Sequence, residues 1–247
     1  REFEQAISVP DDEIDLARAA LLIANIEHAE LDPAPTLARL DAMAAEVLRR
    51  AGPGAGQLVR LQALMQVVLR EPELRGARED FYNPANSFLN DVLERRVGLP
   101  IALAVLLIAV GARAGIALGG TSMPMHFLVR VAGIRPALFI DPYGGGQLLT
   151  EPACAQLVRL LSQGSLTYSP KMLETVPTTA ILTRMLLNLR FIYQRAARST
   201  QLIETLSLLM MLAPDDPELL RERGLMRRQT GQAEGARRDL TRYLEIH

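Results

Sequence analysis

Apolar residues recur at helical spacing through the first third of the chain, shift to a strand-like pattern in the middle, and return to helical spacing towards the end. Asp11 or Asp12 is placed to N-cap a helix running to about Glu30, with Ile14, Ala17, Leu21 and Ala24 on one face. Leu16, Ala20 and Ile23 widen that face, so the helix packs on more than one side. Asp32-Pro33 and Pro35 interrupt it. A second helix, about Pro35 to Ala51, gathers Leu37, Leu40, Met43, Ala44, Val47 and Leu48. Gly52-Pro53-Gly54 breaks the chain, and a third helix covers about Gln57 to Arg70.

Phe81 to Ser87 carries turn chemistry, with Asn83-Pro84 and Asx-type caps, and Pro84 suits an early helical position. A helix then reaches about Arg96, and Val97-Gly98 ends it. Leu99 to Gly115 is apolar on nearly every side, which predicts a central, buried helix. Its apolar run, Leu99 to Val110, is too short to span a bilayer.

After Gly115 the spacing changes. Strands are predicted over Ile116 to Leu118, His126 to Val131 and Ala137 to Ile140. Gly133 and Pro136 bracket a hairpin between the last two. Asp141 to Gly146 reads as a loop, Gln147 to Leu149 as a further short strand, and Thr150 or Glu151 as the start of a helix holding Cys154 and Leu157 to Leu161.

From about Pro177 the chain is helical again, with a repeat. Gly224, Gly231, Ala236, Leu240 and Tyr243 fall on the small-residue and aromatic positions of a tetratricopeptide unit. A shift of about 34 residues places Leu186, Tyr193, Ala197, Leu202, Leu206 and Leu209 in a preceding copy, with Arg190 where a small residue is usual. Two units form a short array that leans on a neighbouring domain to bury its open face. The expected division is residues 1–170, an α+β unit with N-terminal helices, and residues 177–247, an all-α repeat segment.

Composition narrows the function. The chain has 247 residues, 49% of them hydrophobic, and a net charge of -1. That balance argues against nucleic acid or a membrane surface as the partner. Cys154 is the lone cysteine, so no intrachain disulfide forms. The first twenty residues are acidic, without a basic start or apolar run, so no signal peptide is expected and a cytoplasmic setting is. Gly144-Gly145-Gly146 lacks the Lys-Ser or Lys-Thr of a phosphate loop. His28, His126 and His247 are far apart in sequence, and no metal or other cofactor is expected.

The candidate chemistry lies between Gly98 and Asp141. Acyl transfer through a thiol needs that thiol at a helix N-terminus, a histidine to share its proton, and a carboxylate or amide to fix the histidine tautomer. This chain places an apolar helix first, then His126, then Asp141, in the order of a papain-like site. Gly98 to Ala104 contains no Cys, Ser or Thr. Alone, His126 reads as a buried structural histidine and Asp141 as a turn residue before Pro142; their joint placement favours a paired site. Cys154 reads as a small buried hydrophobe in the wrong element to replace the thiol. Tyr82, Asn83, Asn86, Ser87 and Asn90 read as caps and turn formers, or as the rim of a pocket around His126. Met123-Pro124-Met125 reads as groove lining or as core.

The stretch Tyr82 to Ile101, together with Gly115-Ile116, Pro124 to Arg130 and Phe139 to Gly146, resembles the SirB-type family of transglutaminase-like proteins. The family joins a transglutaminase-like domain to C-terminal tetratricopeptide units. The resemblance implies a papain/transglutaminase-like α+β core, helices packed on a small antiparallel sheet, followed by the repeats. It places the nucleophile near Pro100, where this chain has proline, or two residues on, where it has Ala102. His126 and Asp141 match the triad remnants, with Tyr82, Asn83, Asn86, Asn90, Pro100, Met125 and Tyr143 lining the cleft. The implied role is a non-catalytic, regulatory scaffold for a protein or peptide. The alternative is a hydrolase or acyltransferase using His126, Asp141 and a water or unidentified nucleophile.

Overall fold

The computed structural model describes residues 1–71 and 73–246. Four helices come first: α1 (Glu2–Ile7), α2 (Leu16–Ile23), α3 (Ala34–Ala51) and α4 (Gln57–Leu69). The short strand β1 (Arg75–Gly76) follows, then α5 (Leu89–Arg95), β2 (Val97–Gly98) and α6 (Pro100–Arg113). Four strands, β3 (Leu118–Thr121), β4 (Leu128–Val131), β5 (Leu138–Asp141) and β6 (Gln147–Thr150), form an antiparallel sheet in that order. The chain ends in α7 (Glu151–Leu161), α8 (Thr178–Arg195), α9 (Ser199–Leu212), α10 (Pro217–Gln229) and α11 (Ala233–Ile246).

Helix α6 is the axis of the fold. Leu99 adopts extended backbone before it, and Pro100 takes the first turn, where its missing N–H costs no hydrogen bond. All its residues from Ile101 to Gly111 except Ile108 are buried. It packs against α2, α3, α4, α5 and α8 and against the β3–β4 edge of the sheet. At about 1.5–3 kcal/mol for each large apolar side chain buried, this helix alone contributes much of the hydrophobic stabilisation. Gly111 allows the close approach of Leu118, which would lie 2.6 Å from an added Cβ.

The two sheet faces have different cores. Val129, Val131 and Ile140 join the main core around α6. Leu128 and Phe139 join a smaller cluster with Met123, Leu149, Cys154 and Val158 beneath α7. The main core does not stop at the repeats: Ile181, Leu182, Met185, Leu186 and Leu189 of α8, and Leu202, Leu206 and Leu209 of α9, belong to it. The open face of the repeat pair is therefore covered by the N-terminal helices, α2 against α8 and α1 against α9.

Several expectations need correction. The first helix does not start at Asp11 or Asp12. Those residues form a 3-10 turn, and Asp15 caps α2 through the Arg18 N–H at 3.1 Å. The helix also ends early, passing into a 3-10 turn over Ala24–Ile26. Leu48 is 44% exposed rather than packed with the other apolar residues of α3. The helix expected to reach about Arg96 does stop there, in a left-handed conformation (φ 59°), but Pro84–Asn86 forms a separate 3-10 turn before it. The first strand of the sheet lies over Leu118–Thr121 instead of Ile116–Leu118, because Gly119 and Gly120 carry strand backbone without any hydrophobic signal. His126 is not in a strand; it precedes β4.

Candidate functional site

His126 is held by a tight connection. The Met123 N–H donates to the Thr121 carbonyl and the His126 N–H to the Met123 carbonyl, both at 3.1 Å. Met125 turns the chain with φ 61° and leaves its side chain 66% exposed. In the β4–β5 ladder Val129 faces Ile140, so the start of β4 and the end of β5 meet at one end of the sheet. That places the buried His126 beside the buried Asp141, with Nε2 and Oδ1 2.9 Å apart.

A carboxylate only accepts hydrogen bonds, so the proton in this pair sits on Nε2. Nδ1 has no hydrogen bond among the described residues. The Gly144 N–H donates to the same Asp141 oxygen at 2.9 Å, which fixes the carboxylate from the other side. A Cβ on Gly144 would meet Asp141 Oδ2 at 2.6 Å, so glycine is needed for this approach.

Tyr143 ties the pair to the start of α6. Its ring meets His126 edge-on, with centroids 5.9 Å apart. Its hydroxyl donates to the Ala77 carbonyl at 2.7 Å, just past β1. β1 runs parallel to β2, Gly76 opposite Gly98, and β2 leads directly into Leu99 and Pro100. Gly76 has no side chain because the Tyr143 ring occupies the space where a Cβ would lie. Burial pushes the Tyr143 hydroxyl above its ordinary pKa, so it remains a donor.

The expected rim residues divide. Tyr143 and Asn86 line one cleft of about 1030 Å³ beside the pair. Pro100 is the first residue of α6. Asn83 caps the 3-10 turn through the Ala85 N–H at 3.0 Å, and Asn86 accepts from Arg95 at 2.9 Å. Asn90 donates to Asp91. Tyr82 instead stacks on α8, 5.7 Å from Phe191 and under the Arg195 guanidinium at 4.9 Å. Gly76 and Ala77, which seat the tyrosine, do not stand out in the sequence, and Gly144 stands out only within its glycine run and the resemblance, not as a partner of Asp141.

Cys154 is fully buried in the second core. Burial, with Asp141 and Glu151 nearby, pushes its thiol up to about 11, the reverse of an activated nucleophile. Among the described residues no group of three or more His, Cys, Asp or Glu could hold a metal ion. His247 lies outside the described residues. Among the described residues no helix is long and apolar enough to cross a membrane.

A helix-first core with a His–Asp pair at the end of an antiparallel sheet defines a transglutaminase-like fold, followed by paired repeat helices. Comparison with known sequences agrees. The transglutaminase-like superfamily matches residues 34–187 and a tetratricopeptide repeat matches residues 189–247. The chain belongs to the transglutaminase-like superfamily. It is 36% identical over 244 residues to a UPF0162 protein of Xylella fastidiosa (strain 9a5c), covering 97% of this chain and 86% of that protein. A UPF0162 protein of Vibrio cholerae is 31% identical over 173 residues, 69% of this chain and 63% of the relative. F-box only protein 21 of Homo sapiens is 29% identical over 171 residues, 65% of this chain and 26% of the relative. No solved structure matches.

Proposed function

We propose that this chain is a non-catalytic transglutaminase-like protein that holds a protein or peptide segment as a regulatory scaffold, in the cytoplasm of a bacterium. One observation carries the reading. The His126–Asp141 pair is intact, whereas the start of α6 offers only Leu99, Pro100, Ile101 and Ala102, none of which can give up a proton to it. Residues 1–170 then supply the cleft, with Tyr143 and Asn86 on its walls, and residues 177–247 a second, helical surface. Repeat arrays of this kind present grooves to partner segments.

A second reading is favoured by the free Nδ1 of His126. That nitrogen could accept a proton from water while Asp141 holds the ring, giving slow hydrolysis; general-base assistance contributes about 10²–10⁴-fold. Incubation of purified protein with a peptide library and an amine donor separates the two. Absence of cleavage and of amine incorporation supports the scaffold. Turnover that disappears in His126→Ala refutes it.

A further inference from the structure

The chain contains 5 Tyr, 6 Phe and no Trp. Three of these aromatics, Phe81, Tyr82 and Phe191, meet on the surface where the turn before α5 touches α8. Their exposures are 39%, 46% and 51%. Phe81 and Tyr82 lie 5.3 Å apart edge-to-face, and Tyr82 and Phe191 5.7 Å apart. Leu187, Phe191 and Arg195 follow one another at four-residue spacing, which makes one stripe along α8. Leu187 is 39% exposed, and Arg195 lies over Tyr82.

Residues next to this patch in the chain line two depressions. On one side, Arg190 and Gln194 of α8 line a pocket of about 420 Å³ between α8, α9 and α10. On the other, Asp80, adjacent to Phe81 in the chain, lines the cleft that Tyr143 and Gly144 border. The cleft carries four guanidinium groups, Arg70, Arg75, Arg78 and Arg95, against the carboxylates of Glu73, Glu79 and Asp80. Glu73 pairs with Arg75, and Asp80 accepts from Asn83. The exposed side chains of Arg70 and Arg78 make no ion pair or hydrogen bond among the described residues, and neither does the Glu79 carboxylate beside them.

We infer that the cleft, the Phe81–Tyr82–Phe191 patch and the repeat pocket form one continuous docking surface for an extended acidic peptide of a partner protein. An apolar side chain of the peptide anchors on the aromatic patch, and its carboxylates pair with Arg70 and Arg78. Aromatic side chains at the centre of an interface dominate its energetics, and guanidinium–carboxylate pairs fix orientation. The inference rests on the binding role proposed above and adds the location and chemistry of the ligand.

The test uses the full chain as bait for random peptides displayed on phage. Fluorescein-labelled copies of the selected peptides are then titrated by anisotropy. Selected sequences should be rich in Asp and Glu around a Leu, Phe or similar anchor. Phe191→Ala and Arg78→Glu should each weaken binding by about tenfold or more, with melting temperatures close to the parent. Tyr82→Ala serves as a second probe of the patch. Basic or charge-neutral selected peptides, or acidic ones whose binding survives Phe191→Ala and Arg78→Glu, overturn this inference while leaving the scaffold role standing. Failure to select any peptide overturns both.

Discussion

Asp11 caps the helix that begins at Thr178. Its carboxylate accepts from the Thr178 N–H at 2.7 Å, the Thr179 N–H at 2.8 Å and the Thr179 hydroxyl at 2.7 Å. Residues more than 160 positions apart in the chain are thus joined at the first turn of α8, where free N–H groups and the positive end of the helix favour an anion.

Removing that cap should loosen the molecule measurably. Asp11→Ala should cost about 1–2 kcal/mol, lowering the melting temperature by about 2–4 °C per kcal/mol for a chain of this size. Burial pushes the Asp11 carboxyl up, but the hydrogen bonds from Thr179 and Thr178 outweigh it and hold the group below its ordinary value of 3.8. A depressed carboxyl stabilises fully above its unfolded value, and the effect disappears as pH falls through the folded value. The gap between parent and variant should therefore be constant near neutrality and narrow below about pH 4. A gap that persists unchanged in acid would contradict the assignment.

Cys154 should behave as an inert thiol. With its titration pushed up to about 11, it should resist alkylation by iodoacetamide at pH 8 in the folded protein and react fully in denaturant. Rapid labelling of the native chain would place a reactive sulfur near the site.

The gap at the helix start can be filled. In Pro100→Cys the new thiol would sit in the first turn of α6, where the helix dipole lowers a thiol pKa. Its alkylation should titrate below about pH 8 and shift upward in the double variant with His126→Ala. An ordinary profile unaffected by His126 would mean that the helix tip and the imidazole are not aligned.

Much of this was legible in the sequence, for identifiable reasons. α6 declared itself because apolar residues surround it, and α3 and α4 because their apolar stripes are bounded by Pro and Gly. The hairpin joining β4 and β5 followed from Gly133 and Pro136. The repeat also emerged, and Arg190, which breaks its small-residue pattern, pairs across the groove with Glu222. What stayed hidden depends on partners distant in sequence. Asp11 carries the signature of a local cap, and only the fold reveals that it caps a helix more than a hundred and sixty residues away. Tyr82 lay in a turn next to the site motifs, yet its ring turns to α8. Backbone contacts to Asp141 and Tyr143 leave no trace in a residue pattern.

Gly76 should tolerate no side chain. Gly76→Ala would drive a methyl into the Tyr143 ring and break its hydrogen bond to Ala77. Overpacking of this kind costs about 1–3 kcal/mol. Urea unfolding should report the loss, and Gly76→Ala combined with Tyr143→Leu should recover part of it. Equal stability of Gly76→Ala and the parent would refute the close contact.

The last two helices depend on one carboxylate. Asp239 is buried in α11 and accepts from Arg223 at 2.7 and 2.9 Å and from Arg227 at 2.8 Å. Removing one partner from a buried ionic cluster costs about 3–5 kcal/mol. Asp239→Ala should therefore expose the α10–α11 pair to hydrogen exchange well before α6. Uniform exchange protection in the variant would argue that the cluster is dispensable.

Helix α8 is both a wall of the central core and the first helix of the repeats, and that dual membership sets the mechanics. Ile181, Leu182, Met185 and Leu186 lock its roll and depth against the rest of the molecule. The repeat pair is consequently held at a set bearing to the rest of the molecule, like a vise whose jaw is cast in one piece with its bench.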